Sequence, residues 1–248
     1  ISGILSYLVN WSVKVFAPFY LSYSIVKKKY FTASLIIVIQ VLMYLSFGNK
    51  AFLFSIGLVL IILYTISSRF IRNITLTLVG LNIFSVILYK YLKFDELFRA
   101  IPYRMIYIPA QLQFQYYDFF SIREKIKFAD GLFGKLFGIE SPYQHIAPLM
   151  ISKHYYGSLY SANTGIFAEA FTNGGWIILI FFSVLLGILF LLIDITTYRL
   201  PLNLVIGSLS YILFVLNDTG LLTTLLTGGL LLMIILLVLL NSGWNKED

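Results

Sequence analysis

Seven stretches of this chain run for about the length of a bilayer crossing with almost no charge, and they leave few choices of fold. They cover about residues 4–26, 30–47, 51–67, 73–90, 175–194, 202–217 and 220–240. A hydrocarbon core of about 30 Å takes roughly 20 apolar residues per helix. Only helices or closed barrels satisfy their backbone without water, and runs this long and uninterrupted predict helices. The first run is the weakest, since it holds Asn10, Lys14 and Pro18. The expected fold is an all-α polytopic membrane protein with about seven transmembrane helices. Composition agrees: 59% of the 248 residues are hydrophobic and 12% charged, against about 25% charged in soluble domains. That excludes a soluble globular domain, a disordered tail and a nucleic-acid module, despite a net charge of +7. The 22 Phe and 18 Tyr crowd the span ends as interfacial anchors. With no cysteine there is no disulfide framework, thiolate metal site or Cys nucleophile.

Charge placement predicts the topology. Lys27, Lys28 and Lys29 follow the first run, Arg69 and Arg72 separate the third and fourth, Arg199 separates the fifth and sixth, and Lys246 lies in the tail. These loops alternate on one side, which the positive-inside bias makes cytoplasmic. The two short loops opposite, Gly48-Asn49-Lys50 and Asn217-Asp218-Thr219-Gly220, carry one Lys between them. The N-terminus of this chain is therefore expected outside and its C-terminus inside. Four parts follow: four spans in 1–92, an extracytoplasmic loop 93–174, three spans in 175–240 and a tail 241–248. The chain begins Ile1-Ser2-Gly3 without Met. It reads as an N-terminally truncated fragment, with seven spans as a lower bound.

The loop 93–174 concentrates what chemistry the chain has. Its 82 residues hold seven of the eleven acidic residues, both histidines and eight tyrosines. Short helices are expected in it. One runs through Pro109–Lys127, with Phe114, Tyr117 and Ile122 on its apolar side, and another begins near Asn163 and passes Glu169. There is no P-loop, GxGxxG, HExxH or nucleophile elbow, and no metal-ligand spacing. An outer face has no nucleotide supply, so a reaction there uses a substrate carrying its own leaving group.

Several residues read two ways. Arg104 stands five residues before Pro109, a residue suited to a helix's first turn; cation and helix start both favour phosphate. The alternative is an interfacial amphipathic helix with a snorkelling Arg. Gln111, Gln113 and Gln115 offer amides, and neighbouring aromatics offer faces for sugar rings. Lys50 reads as an ammonium facing a pyrophosphate or as a snorkelling cap of the preceding helix. Lys14 is the one cation inside a run, where charge is costly and often functional. His154 and Glu169 are the acid/base candidates; the plainer readings are a surface imidazole and a helix-N-terminal carboxylate. Asp118, Arg123 and Glu124 read as a solvated charge cluster. Asp218 reads as a cavity-facing carboxylate or a helix N-cap.

Three elements together resemble a known family. They are Gly48-Asn49-Lys50 between two outer span ends, Arg104…Pro109…Tyr116-Tyr117-Asp118-Phe119-Phe120, and Asn163-Thr164-Gly165…Glu169-Ala170-Phe171…Asn173-Gly174-Gly175. Their order and outer placement are similar to those of Wzy-type oligosaccharide repeat-unit polymerases of bacterial surface polysaccharide synthesis. The resemblance covers about residues 40–195 and the plan of spans on either side. It implies a GT-C-like helical enzyme of the bacterial inner membrane, with more spans than seven. Such an enzyme joins undecaprenyl-pyrophosphate-linked repeat units on the outer face by glycosyl transfer to a sugar hydroxyl. No metal or cofactor is required, and a chain-length regulator is an expected partner. Pyrophosphate and glycan binding would fall to Arg104, Lys50, Arg123, Asp118 and Gln111, and catalysis to Glu169 and His154. The alternatives are an O-antigen ligase, a flippase or transporter, and a structural membrane subunit. Ligases carry a His-Asn pair in this loop, whereas His145 and His154 precede Ile and Tyr. Transporters need polar or broken helices at the midplane, and the later runs are nearly pure Leu, Ile, Val and Phe.

Overall fold

The computed structural model describes residues 4–66 and 69–244. Lys246 lies outside the described residues. Every regular element among them is helical. In chain order these are α1 Ile4–Trp11, α2 Ala17–Val26, α3 Tyr30–Phe47, α4 Ala51–Thr65, α5 Phe70–Leu92, α6 Glu96–Phe98 and α7 Ile108–Ser121. Then follow α8 Leu132–Phe137, α9 Ala147–Tyr156, α10 Ile166–Thr196, α11 Leu202–Val215, α12 Leu221–Leu226 and α13 Leu230–Ser242. π-Helical segments Ser12–Phe16 and Arg99–Tyr107 precede α2 and α7.

Helices α3, α5 and α10 are long and apolar enough to cross a membrane. Helices α4, α11 and α13 are apolar but shorter. Large side chains such as Phe31, Ile71 and Ile83 point outward from these long helices, and Ile177 is 80% exposed. Apolar surface this extensive is not left to water; it is the surface of a membrane protein.

Both π segments run into a proline. Proline lacks an N–H and its ring crowds the carbonyl four residues back. Ahead of Pro18 the turn widens, so that Ala17 N–H reaches Ser12 O. Ahead of Pro109 it widens again, and Ile108 N–H reaches Tyr103 O. The weak first run is thus helical throughout, in three pieces, with Lys14 in the widened one.

The chain divides into two compact units. The first takes the described residues up to 66, 185–216 and 222–244. In it α11 packs against α2 and α4, and α2 against α3. Leu21, Val59, Leu204, Ile212, Met233 and Leu237 are buried there. Gly207 permits the close approach: a Cβ on it would stand 2.6 Å from Ser22 Oγ. Small residues at such crossings are how membrane helices bring their backbones together.

The expected helix over 220–240 is instead two, α12 and α13. Gly229 has φ +90°, and a Cβ there would stand 2.5 Å from Val15. Glycine tolerates both conditions. The interruption frees the carbonyl of Thr227, which accepts Trp11 Nε1–H at 3.0 Å. A buried carbonyl left unpaired would be costly, so the break and the indole form one feature.

Candidate functional site

The second unit holds residues 69–184 and 217–221. Its core sets α7 against α9 and the start of α10: Leu112, Tyr116, Phe119 and Phe120 meet Met150, Ile151, Ala168 and Phe171. The buried face of α7 is therefore not the expected one, since Phe114, Tyr117 and Ile122 are exposed. Tyr116 donates its hydroxyl to Ala162 O at 2.8 Å; burial, with Asp130 and Glu169 nearby, pushes its pKa up. Asp130 Oδ2 accepts Ala147 N–H at 2.7 Å and caps the first turn of α9. Burial raises the Asp130 pKa, and that N–H pulls it partly back.

Helix α7 ends at Ser121 rather than continuing to Lys127. Lys127 and Phe128 adopt positive φ. Their segment is instead bonded to α10: Ile126 N–H to Thr172 O at 3.0 Å and Phe128 N–H to Asn173 Oδ1 at 2.7 Å. Helix α10 begins at Ile166 and is broken at Gly174 and Gly175, whose backbone is non-helical. The break separates 166–173 from the apolar length 176–196. We take only the latter as membrane-spanning, so Glu169 lies outside the span.

A cavity of about 940 Å³ opens between the π segment Arg99–Tyr107 with the first turns of α7, the chain around 160–164, and the turn at Asn217–Asp218. Among the described residues lining it, Arg104 is the one cation and Asp218 the one carboxylate. Burial raises the Asp218 pKa and Arg104 lowers it, so the two sense each other across the cavity. Gln111, Asn163, Ser161 and Thr164 supply uncharged polar groups. Tyr103, Tyr107, Tyr156 and Tyr160 supply aromatic ones. Tyr103 and Tyr107 stack at 5.3 Å, and Tyr156 and Tyr160 meet at 5.6 Å. Gln115 donates to the Tyr156 hydroxyl at 2.9 Å. Burial and the neighbouring Tyr156 and Tyr103 push up the Tyr160 pKa.

The expected site residues separate into four places. Arg104 and Gln111 line the cavity. The helix-start argument for Arg104 does not hold, because the π segment runs continuously into α7 and Pro109 begins no free N-terminus.

His154, Asp118 and Arg123 gather instead around Phe119 and Tyr155, and none of them lines the cavity. His154 sets its ring edge-on to Phe119 at 5.2 Å and to Tyr155 at 4.8 Å. Asp118 Oδ2 accepts the Tyr155 hydroxyl at 2.5 Å. Arg123 lies 3.9 Å over the Phe119 ring. Lys50 belongs to the first unit, where it precedes α4 beside Gly48 at φ +65°.

Glu169 is also not among the lining residues. Its carboxyl occupies the space beside Gly220, where a Cβ would come within 1.9 Å of Cδ. It accepts the Leu221 N–H, and Oε2 is buried with no hydrogen-bond partner. Burial pushes its pKa up to about 7, against the pull of that N–H. Glu169 thus holds the turn whose Asp218 faces Arg104.

The four tyrosines are residues that the spacing argument missed. Tyr103 and Tyr107 flank Arg104 at i−1 and i+3, and this aromatic pair one helical turn apart was the available signal. Tyr156, Tyr160 and Asn163 come to the cavity by the turn after α9, which no local pattern announces. Among the described residues, no three His, Asp or Glu side chains cluster as metal ligands would. No protein-family model, curated protein or solved structure matches this chain.

Proposed function

We propose that the chain is part of a polytopic bacterial membrane glycosyltransferase. It would polymerise undecaprenyl-pyrophosphate-linked oligosaccharide repeat units at the outer face of the inner membrane. The observation that carries this reading is the cavity, whose lining brings together one guanidinium and one carboxylate amid tyrosines and amides. The seven runs, a GT-C-like arrangement and an outer location for 93–174 belong to the same reading.

The chemistry follows from that pair. A sugar hydroxyl of one lipid-linked unit attacks the anomeric carbon of another. The new C–O bond forms as the bond to pyrophosphate breaks, and pyrophosphate leaves with the electron pair. Arg104 offsets the charge growing on the leaving group. Asp218 accepts the hydroxyl proton, and its raised pKa makes it a better base than an exposed Asp. Glu169 acts through the turn that presents Asp218.

The test is the surface glycan of a deletion strain. Single repeats capping the lipid acceptor are expected. Lipid-linked polymer that is never passed on would identify a ligase, and units that never reach the outer face a flippase. Complementation with Arg104→Ala is expected to restore no long chains while the protein still inserts. Normal chain length in that strain would remove Arg104 from the reaction.

A further inference from the structure

The charges and rings of this cavity select among glycans. We infer that it is a subsite for an uncharged stretch of sugar, held between the Tyr103–Tyr107 stack and the Tyr156–Tyr160 pair, and that it disfavours acidic sugars. This rests on the glycan-transfer reading and adds to it the class of sugar.

Three observations support it. First, the formal charges lining the cavity cancel: Arg104 and Asp218 are its only ionic side chains among the described residues. Arg104, the one cation, is assigned to the leaving pyrophosphate, so a uronate or sialate on the sugar would find the Asp218 carboxylate and no second cation. Second, the four tyrosines keep 42–53% of their surface exposed even though they sit in a concavity. Rings of this kind, apolar on the face and polar at the tip, suit a ligand that is apolar on one face and hydroxylated at the edge. Third, the remaining polar groups, Gln111 and Asn163 among them, are uncharged amides and hydroxyls that both donate and accept. Sugar hydroxyls require that duality, and carboxylates do not. The volume of about 940 Å³ is at the upper end of the roughly 300–1,000 Å³ of ligand sites. It has room for more than one ring.

The experiment titrates the full chain, in lipid nanodiscs, with free oligosaccharides. The panel spans neutral hexose, N-acetylhexosamine and deoxyhexose oligomers, with uronate-containing counterparts of equal length. At least one neutral oligomer is expected to bind, with its acidic counterpart at least tenfold weaker. The Tyr107→Ala/Tyr156→Ala double variant is expected to lose at least tenfold in affinity for that oligomer. The Tyr107→Phe/Tyr156→Phe variant keeps the rings and is expected to keep most of the affinity. Gln111→Ala, which leaves all four rings in place, is expected to weaken binding several-fold in a protein that elutes normally.

Acidic oligomers binding as well as neutral ones, or no oligomer binding, would overturn the inference. So would affinity unchanged in the double Ala variant. The glycan-transfer reading fails separately, by normal long-chain glycan in the deletion strain, and saccharide titration of the protein still reports on the subsite.

Discussion

Glu169 is closely held in the second unit, with its carboxyl against Gly220. It is a carboxyl with one oxygen bonded to a backbone N–H and the other buried without a partner. Its folded pKa of about 7 lies above the ordinary value of 4.5. The native state therefore holds a proton that the unfolded chain releases first. Its contribution to stability is complete below pH 4.5, falls as pH rises through the window to about 7, and is flat beyond. Melting temperatures across that window are expected to fall for the wild type and to lose that component of the slope in Glu169→Gln. An unchanged slope would mean that the carboxyl does not titrate in this setting.

Gly220 supplies the matching space. A methyl group there would overlap the Glu169 carboxyl, and overpacking of this kind costs about 1–3 kcal/mol. Gly220→Ala is expected to lower the melting temperature and the activity together, by displacing Asp218. The sequence marked Glu169 as an acid/base candidate; its carboxyl lies against Gly220 and is not among the residues lining the cavity. A carboxylate near a helix start looks the same on paper whether it faces a cavity or a glycine two elements away.

Among the elements, the two π-helical segments show how proline acts at a distance of one turn. Pro109 sits in the first turn of α7, as expected, but the chain enters that turn through a π-wound segment that itself holds Pro102. Arg104 lies inside that π-wound segment, between Pro102 and Pro109, so its angular position about the helix depends on this winding. Pro109→Ala restores an N–H and allows ordinary α-helical winding. It is expected to keep the fold and thermal stability while reducing polymer formation, because Arg104 turns away from Asp218. Full polymer formation in that variant would show that the widened turn is incidental.

Asp130 offers a second test, of α9. Removing the cap with Asp130→Ala is expected to cost about 0.5–2 kcal/mol, read as a lower melting temperature. Helix existence was largely legible in the apolar runs, but interruptions were not. The Gly228-Gly229 break depends on Val15 lying against Gly229 and on Trp11 reaching Thr227 O. Both partners are over 200 residues away in sequence.

At the scale of the molecule, three helices are long and apolar enough to cross a bilayer, and their Phe, Ile and Leu side chains face outward as a lipid-facing surface would. The chain has no native cysteine, so single introduced cysteines report position cleanly. A cysteine at Gly138 is expected to react with an impermeant reagent in intact cells. One at Tyr198 is expected to react only after permeabilisation. The reverse pattern would invert the topology.

The sequence by itself determined the solvent and the secondary structure. Charge is too scarce for water, and apolar runs of bilayer length have no alternative to helix. It also localised the polar chemistry to one loop and singled out Arg104. Tertiary structure decided which polar residues work together. Asp218, Tyr156 and Tyr160 line one cavity with Arg104, in a unit where Glu169, Asn173 and Asp130 tie together turns from distant parts of the chain. The physical reason is range: periodicity and charge are local properties that a window of residues contains. A cavity is made by hydrogen bonds and close backbone approaches between segments whose spacing in sequence carries no signal.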